Sequence, residues 1–243
     1  MPTALPLLGV LGGMGPAATL DFLAKLQDLS NALRDQDHRP VVTFSASATP
    51  DRTAAILGRG ESPLPAMQAA LMALERAGVS HVAIPCNTAH YWFDDLQAGT
   101  GVRLIHIVEA TMQDLDLRFD AVATVGLIAT TGVVRSGIYH QRLEVSGRRV
   151  LTPPDQAAVM GVIDTIKSGR MAEALPRLAQ QVRDLRDAGA EAVILGCTEL
   201  PLCLSHLPAA LQALCVDATE ALARASLQAL AESDAAFAEG VGA

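Results

Sequence analysis

The chain repeats itself. Gly9-Val10-Leu11-Gly12-Gly13-Met14-Gly15 returns as Gly126-Leu127-Ile128-Ala129-Thr130-Thr131-Gly132, Pro50-Asp51 as Pro154-Asp155, and Ala77 through Cys86 as Ala188 through Cys197, at offsets of 117, 104 and 111 residues. Three echoes in one order restrict the fold to two similar halves. Leu5–Leu11 is an apolar run closed by Gly12-Gly13-Met14-Gly15-Pro16, followed by a helical stretch over Ala17–Leu33. Val41–Ala46 reads as a strand, Ser62–Ala77 as a helix with prolines near its start, and His81–Pro85 as a strand that ends on Cys86. Further strands are predicted over Arg103–Ile107, Ala121–Ile128, Arg149–Leu151 and Ala192–Leu195, with helical stretches between them. Strands alternating with helices predict parallel sheets joined by crossover helices. The class is therefore α/β, with two pseudo-symmetric parallel-sheet domains and the active site between them. The first domain is drawn over 1–103 plus 210–243 and carries Cys86; the second is drawn over 104–209 and carries Cys197.

Composition narrows the function classes. Apolar residues make up 50% of the 243 and aromatics only 3%, so the core has to be aliphatic. A net charge of -8 leaves no basic stripe of the kind nucleic acid requires. No apolar run reaches the roughly 18 residues of a membrane span. The Met1-Pro2-Thr3-Ala4 start lacks the basic region of a signal peptide, so a cytoplasmic location is expected. Four cysteines in that compartment are expected to be reduced.

In open parallel sheets, ligands bind beyond the carboxyl ends of the strands. Two facing halves would then each deliver one cysteine, Cys86 and Cys197, to a shared cleft. A thiolate on one face of a reacting carbon and a thiol on the other supply a base and an acid at once. An unperturbed cysteine has a pKa of about 8.5, so a helix N-terminus or a neighbouring donor is needed to hold thiolate. Asn87-Thr88-Ala89-His90 after Cys86, and Thr198-Glu199 after Cys197, are suited to opening such a helix. Cys203 and Cys215 lie in apolar surroundings without a matching turn and read as core. His90, four residues after Cys86, either couples to the thiol or stabilises a helix start. His81 and His106 read as core or edge residues. No Cys-x-x-Cys or His-x-x-x-His spacing occurs, which argues against a metal site. The Gly-rich turn lacks the Gly-x-Gly-x-x-Gly spacing and a Walker lysine, yet a helix N-terminus there could hold an anion through the Met14 backbone N–H.

Six motifs together resemble the aspartate/glutamate racemase family, in its aspartate racemase branch. They are Gly12-Gly13-Met14-Gly15-Pro16, Pro50-Asp51-Arg52-Thr53, Pro85-Cys86-Asn87-Thr88-Ala89-His90, Gly126 to Thr130, Ile166-Lys167-Ser168-Gly169 and Gly196-Cys197-Thr198-Glu199-Leu200. The resemblance implies a cofactor-independent isomerase without pyridoxal phosphate or metal, commonly a homodimer, that acts on a small amino acid. It implies catalysis by Cys86 and Cys197, with each cysteine acting on one enantiomer. Arg52 and Lys167 match residues that bind substrate carboxylate. Asn87, Thr88, Thr130 and Thr198 match polar positions around the α-carboxylate or α-amino group, and Glu199 and Met14 complete the expected substrate-binding set. Ser45-Ala46-Ser47-Ala48-Thr49 departs from the Asn-containing segment common in that branch. Aspartate is the first expectation, and glutamate or a broader range stays open. Two rivals remain: a dicarboxylate isomerase or decarboxylase on the same scaffold, which needs one cysteine, and a non-catalytic dicarboxylate-binding module.

Overall fold

The computed structural model describes residues 6–240, with side chains through residue 235. The first half runs β1 (Leu8–Gly12), α1 (Pro16–Leu29), β2 (Val41–Ser45), α2 (Arg52–Ile56), α3 (Leu64–Arg76), β3 (His81–Ala83), α4 (Phe93–Ala98) and β4 (Arg103–Ile105). After α5 (Ile107–Arg118) come β5 (Thr124–Ala129), α6 (Thr131–Ser136), α7 (Ile138–Val145), β6 (Arg149–Leu151), α8 (Gln156–Lys167) and α9 (Met171–Asp187). The chain closes with β7 (Ala192–Gly196), α10 (Ala209–Gln212), β8 (Cys215–Asp217) and α11 (Ala218–Gly240). Both sheets are parallel and share one strand order: β2-β1-β3-β4 and β6-β5-β7-β8.

The echoes have a packing cause. A Cβ on Gly9 would lie 2.9 Å from Val82, with Val79 just behind, and a Cβ on Gly126 would lie 3.1 Å from Val193 and 3.4 Å from Ala190. In each central strand, glycine admits the branched side chains of the next strand and its lead-in turn. Asp51 and Asp155 are likewise equivalent, each capping a helix by accepting from the backbone N–H three residues on. Every residue of β1, β5 and β7 is buried, as expected of strands covered on both faces.

The boundaries differ from the sequence reading for local reasons. Helix α1 stops at Leu29 because Asn31 adopts a left-handed φ of 52°, which ends a helix. Strand β3 stops at Ala83, two residues before Pro85, which has no N–H to give a ladder. Leu5 and residues 241–243 lie outside the described residues. One domain boundary needs correction. Residues 215–217 fall within the segment drawn with the first domain, but they form β8 and pair with β7 in the second sheet.

The halves share a core. One continuous apolar cluster takes Leu8, Phe22 and Leu26 from the first half and Val125, Leu127 and Tyr139 from the second, and joins them through Ile107, Met112 and Leu115 of α5 and Leu222 and Leu230 of α11. Helix α11 packs on both α1 and α5. Across this joint Lys25 of α1 pairs at 2.7 Å with Asp217 of β8, a residue only 2% exposed. The halves also meet at Gly132, where a Cβ would come within 2.8 Å of Thr88 and 2.9 Å of Thr53. Overpacking of this kind costs about 1–3 kcal/mol. Gly132→Ala is therefore expected to lower stability by that amount in urea unfolding; an unchanged midpoint would mean that the halves part there without strain.

Candidate active site

Four strand ends converge on one cavity of about 50 Å³. Its walls contain Met14, Arg52, Cys86, Asn87, Thr88, Thr130, Lys167, Cys197, Thr198 and Glu199, the ten residues singled out from the sequence. Four residues not singled out also line it: Asp51, Thr53, Met160 and Asp164. Two of these flank Arg52 in its own motif. Met160 and Asp164 lie seven and three positions before Lys167, so all three share one face of α8. Larger hollows exist, such as one of about 350 Å³ beside Leu23 and His38, but it contains neither cysteine.

Each wall is fixed by its turn. Met14 is held where Gly13 donates to Thr19 Oγ1 at 2.8 Å and passes so close to the turn after β2 that a Cβ there would meet Ala46 N at 2.6 Å. With a φ of 88°, Gly13 also sits where other residues are strained. Arg52 begins α2, and its Nη1 is occupied by the Thr49 and Pro50 carbonyls at 3.1 and 3.0 Å. Its Nε is buried and makes no hydrogen bond. Thr130 caps α6 and meets Thr88 hydroxyl to hydroxyl at 2.9 Å, and Thr198 donates to the Pro85 carbonyl at 3.3 Å, so both contacts join the halves.

The turns after the cysteines open 3-10 helices, Thr88–Trp92 and Leu200–His206. Help for a thiolate at Cys197 comes from Lys167 and from the Glu199 backbone N–H. Cys197, 4% exposed, donates its thiol hydrogen to Glu199 Oε2 at 3.1 Å. Burial, and then the Glu199 carboxylate, push the Cys197 thiol well above its ordinary pKa, against the opposing pull of Lys167. Burial alone would lower the Lys167 ammonium, but Glu199, Cys197 and Cys86 outweigh it and raise the group overall. Glu199 Oε1 is buried and unpartnered, and a Cβ on Gly15 would lie 2.8 Å from it.

His90 proves structural. Its Nε2 accepts from Ile107 N at 3.0 Å, so Nδ1 carries the hydrogen donated to the Cys86 carbonyl at 2.9 Å. The ring ties the Cys86 turn to the start of α5 and has no free nitrogen for acid–base work. Burial, then neighbouring His106, lower it to about 3. His106 caps α5 by accepting from Val108 and Glu109 N–H, and burial followed by Arg142 lowers it to about 4. His81, Cys203 and Cys215 are buried, as read. Among the described residues, no three His, Cys, Asp or Glu side chains cluster as a metal site would require, and no helix is long and apolar enough to cross a membrane.

Two outcomes follow from these environments. The unfolded chain protonates histidine near pH 6.5, whereas folded His90 and His106 refuse the proton until about 3 and 4. The stability they contribute is complete above pH 6.5 and is lost as pH falls toward those values, by up to about 1.4 kcal/mol per pH unit for each ring. His90→Gln should flatten the fall in urea midpoint between pH 6.5 and 4.5; an unaltered slope would clear His90 of this role. In a Cys86→Ser background, Glu199→Gln removes the charge that holds Cys197 as a thiol, so alkylation of Cys197 by iodoacetamide at pH 8 should speed up several-fold. An equal or slower rate would assign the raised thiol to burial alone.

Comparison with known proteins places this geometry. Residues 11–226 match the model of the family described as Asp/Glu/Hydantoin racemase. The chain is 28% identical over 226 residues to the broad specificity amino-acid racemase RacX of Bacillus subtilis, covering 91% of this chain and 96% of that protein. Among solved structures it is similar to Picrophilus torridus aspartate racemase, with a TM-score of 0.84, 30% identity, and 93% and 94% of the two chains covered. Its fold is shared by the glutamate racemase of Francisella tularensis solved with D-glutamate, with a TM-score of 0.68, 20% identity, and 94% and 82% covered.

Proposed function

The chain belongs to the Asp/Glu/hydantoin racemase family and is an amino-acid racemase; from that premise we propose that it interconverts D and L acidic amino acids, aspartate first, by passing the α-proton between Cys86 and Cys197. The observation that carries this reading is the pairing of two equivalent strand-end cysteines in one cavity with three unpaired buried polar atoms. Two of those atoms are donors, Arg52 Nε and Asn87 Nδ2, and one is an acceptor, Glu199 Oε1. A zwitterionic amino acid answers all three, with carboxylate oxygens for the donors and ammonium for the acceptor. Arg52 and Lys167 provide the positive charge that a second carboxylate needs.

The step conserves atoms and charge. A thiolate takes the α-proton on one face and becomes a thiol, while the opposite thiol protonates the carbanion and becomes a thiolate. Burial and then the Glu199 carboxylate favour the thiol form of Cys197, which suits it to give a proton. After turnover the roles are exchanged, and the enzyme stands ready for the other enantiomer. A cavity of about 50 Å³ has room for only a few waters, so entry of substrate requires the halves to part.

A broader substrate range is the second reading. Asp164 sets a carboxylate on the same helical face as Lys167, where a hydroxyl, amide or amine on the substrate would find an acceptor. The similarity to a broad specificity racemase supports the same reading.

In heavy water the wild type is expected to lose the optical rotation of L-aspartate while deuterium enters the α-carbon. Cys86→Ser and Cys197→Ser should each lower racemisation by about 10²–10⁴-fold, the usual worth of a positioned acid or base. Each should still exchange the α-proton of one enantiomer without inverting it. Full racemisation by either variant would exclude the two-cysteine mechanism, and a dicarboxylate binder would show neither exchange nor inversion.

A further inference from the structure

One fully buried side chain is unexplained by packing alone. Tyr139 of α7 is 0% exposed, and phenylalanine would fill that space without burying a hydroxyl. Its hydroxyl donates to Asn87 Oδ1 at 2.6 Å, reaching from the second half into the turn behind Cys86. Thr111 Oγ1 lies 3.2 Å from the same hydroxyl and 2.7 Å from the Ile107 carbonyl, so its single hydrogen serves one or the other. Burial pushes the Tyr139 pKa up, so the hydroxyl keeps its proton as a donor.

The partner is as telling as the bond. Asn87 lines the cavity and is 2% exposed, and its Nδ2 is buried without a hydrogen-bond partner. An amide has a donor end and an acceptor end. Tyr139 occupies the acceptor end, which leaves the donor end for whatever enters the cavity. Without that hydroxyl the amide could turn its carbonyl toward the substrate, where it would repel an anionic oxygen.

We propose that Tyr139 is a positioning residue that fixes the Asn87 amide with its NH2 toward the substrate carboxylate. The inference rests on the racemase reading above. Removing the α-proton delocalises charge into the adjacent carboxylate, so a donor aimed at that oxygen strengthens as the carbanion forms. Its loss should therefore lower kcat more than it raises KM.

The test is a double-mutant cycle on whichever amino acid the wild type racemises most rapidly, with deuterium wash-in and urea midpoints measured alongside. Tyr139→Phe is expected to fold, to lose roughly 10-fold or more in kcat/KM mainly through kcat, and to gain nothing from a change of substrate side chain. Asn87→Ala should lose at least as much. The double variant should lose no more than Asn87→Ala alone, because Tyr139 acts only through that amide. Wild-type rates in Tyr139→Phe, or losses that multiply in the double variant, would overturn the proposal. Should Tyr139→Phe fail to fold, Asn87→Asp decides. It keeps an acceptor for Tyr139 and presents a second oxygen to the substrate, so it is expected to be at least as impaired as Asn87→Ala. Activity retained in Asn87→Asp would show that no donor is needed there. A wild type that racemises no amino acid would instead sink the functional reading itself, and this inference with it.

Discussion

The apolar layer formed by α5 and α11 is the constraint on which the site depends. Ligand cavities between α/β halves usually sit at interfaces that move freely, but here the interface is part of a continuous core. Burying Phe22, Leu115, Leu127 and Leu230 in one cluster fixes the distance between the two sheets, and with it the separation of the strand ends that carry Cys86 and Cys197. The Lys25–Asp217 pair adds an electrostatic tie across the same joint. Around the cavity the halves also meet through polar contacts, Thr88 with Thr130, Thr198 with Pro85, and Tyr139 with Asn87.

Rigidity on one side allows the other side to be left chemically incomplete. Buried polar atoms ordinarily find partners, because an unmade hydrogen bond costs about 1–3 kcal/mol. Arg52 Nε, Asn87 Nδ2 and Glu199 Oε1 do not. A packed frame can sustain that deficit around a small cavity. Burial first, and then the Glu199 carboxylate, favour the thiol form of Cys197, while the cation Lys167 favours thiolate.

Much of this was legible in the sequence. The echoes carried the two-sheet architecture, because glycines at Gly9 and Gly126 are demanded by the same neighbours in each half. The ten cavity residues could be named because six short motifs keep the fingerprint of a family, and Lys167, at the end of α8, was named through that resemblance alone. What escaped was not local. Strand β8 is assigned to the second sheet only by its pairing with β7. Met160 and Asp164 reach the cavity through helical periodicity, which marks a face without saying what it looks at. His90 had two readings until Ile107 N, 17 positions away, was seen to occupy its second nitrogen. Tyr139 gave no signal, since its partner lies 52 positions away in the other half.

The matched halves bear on how such a chain could arise. Offset by 111 positions, Cys197 corresponds to Cys86, Thr198 to Asn87 and Glu199 to Thr88. A half-length ancestor with this pattern would leave one side of its helical layer exposed and could persist only by pairing with a copy of itself. Such a pair, built on a two-fold axis, would hold identical cysteines in identical surroundings and treat the mirror-image ligands alike. Fusion of the two copies into one chain releases that restriction. Substitutions can then accumulate on one side alone, as the acid beside Cys197 and the alcohol beside Cys86 illustrate, while the frame keeps its original duality.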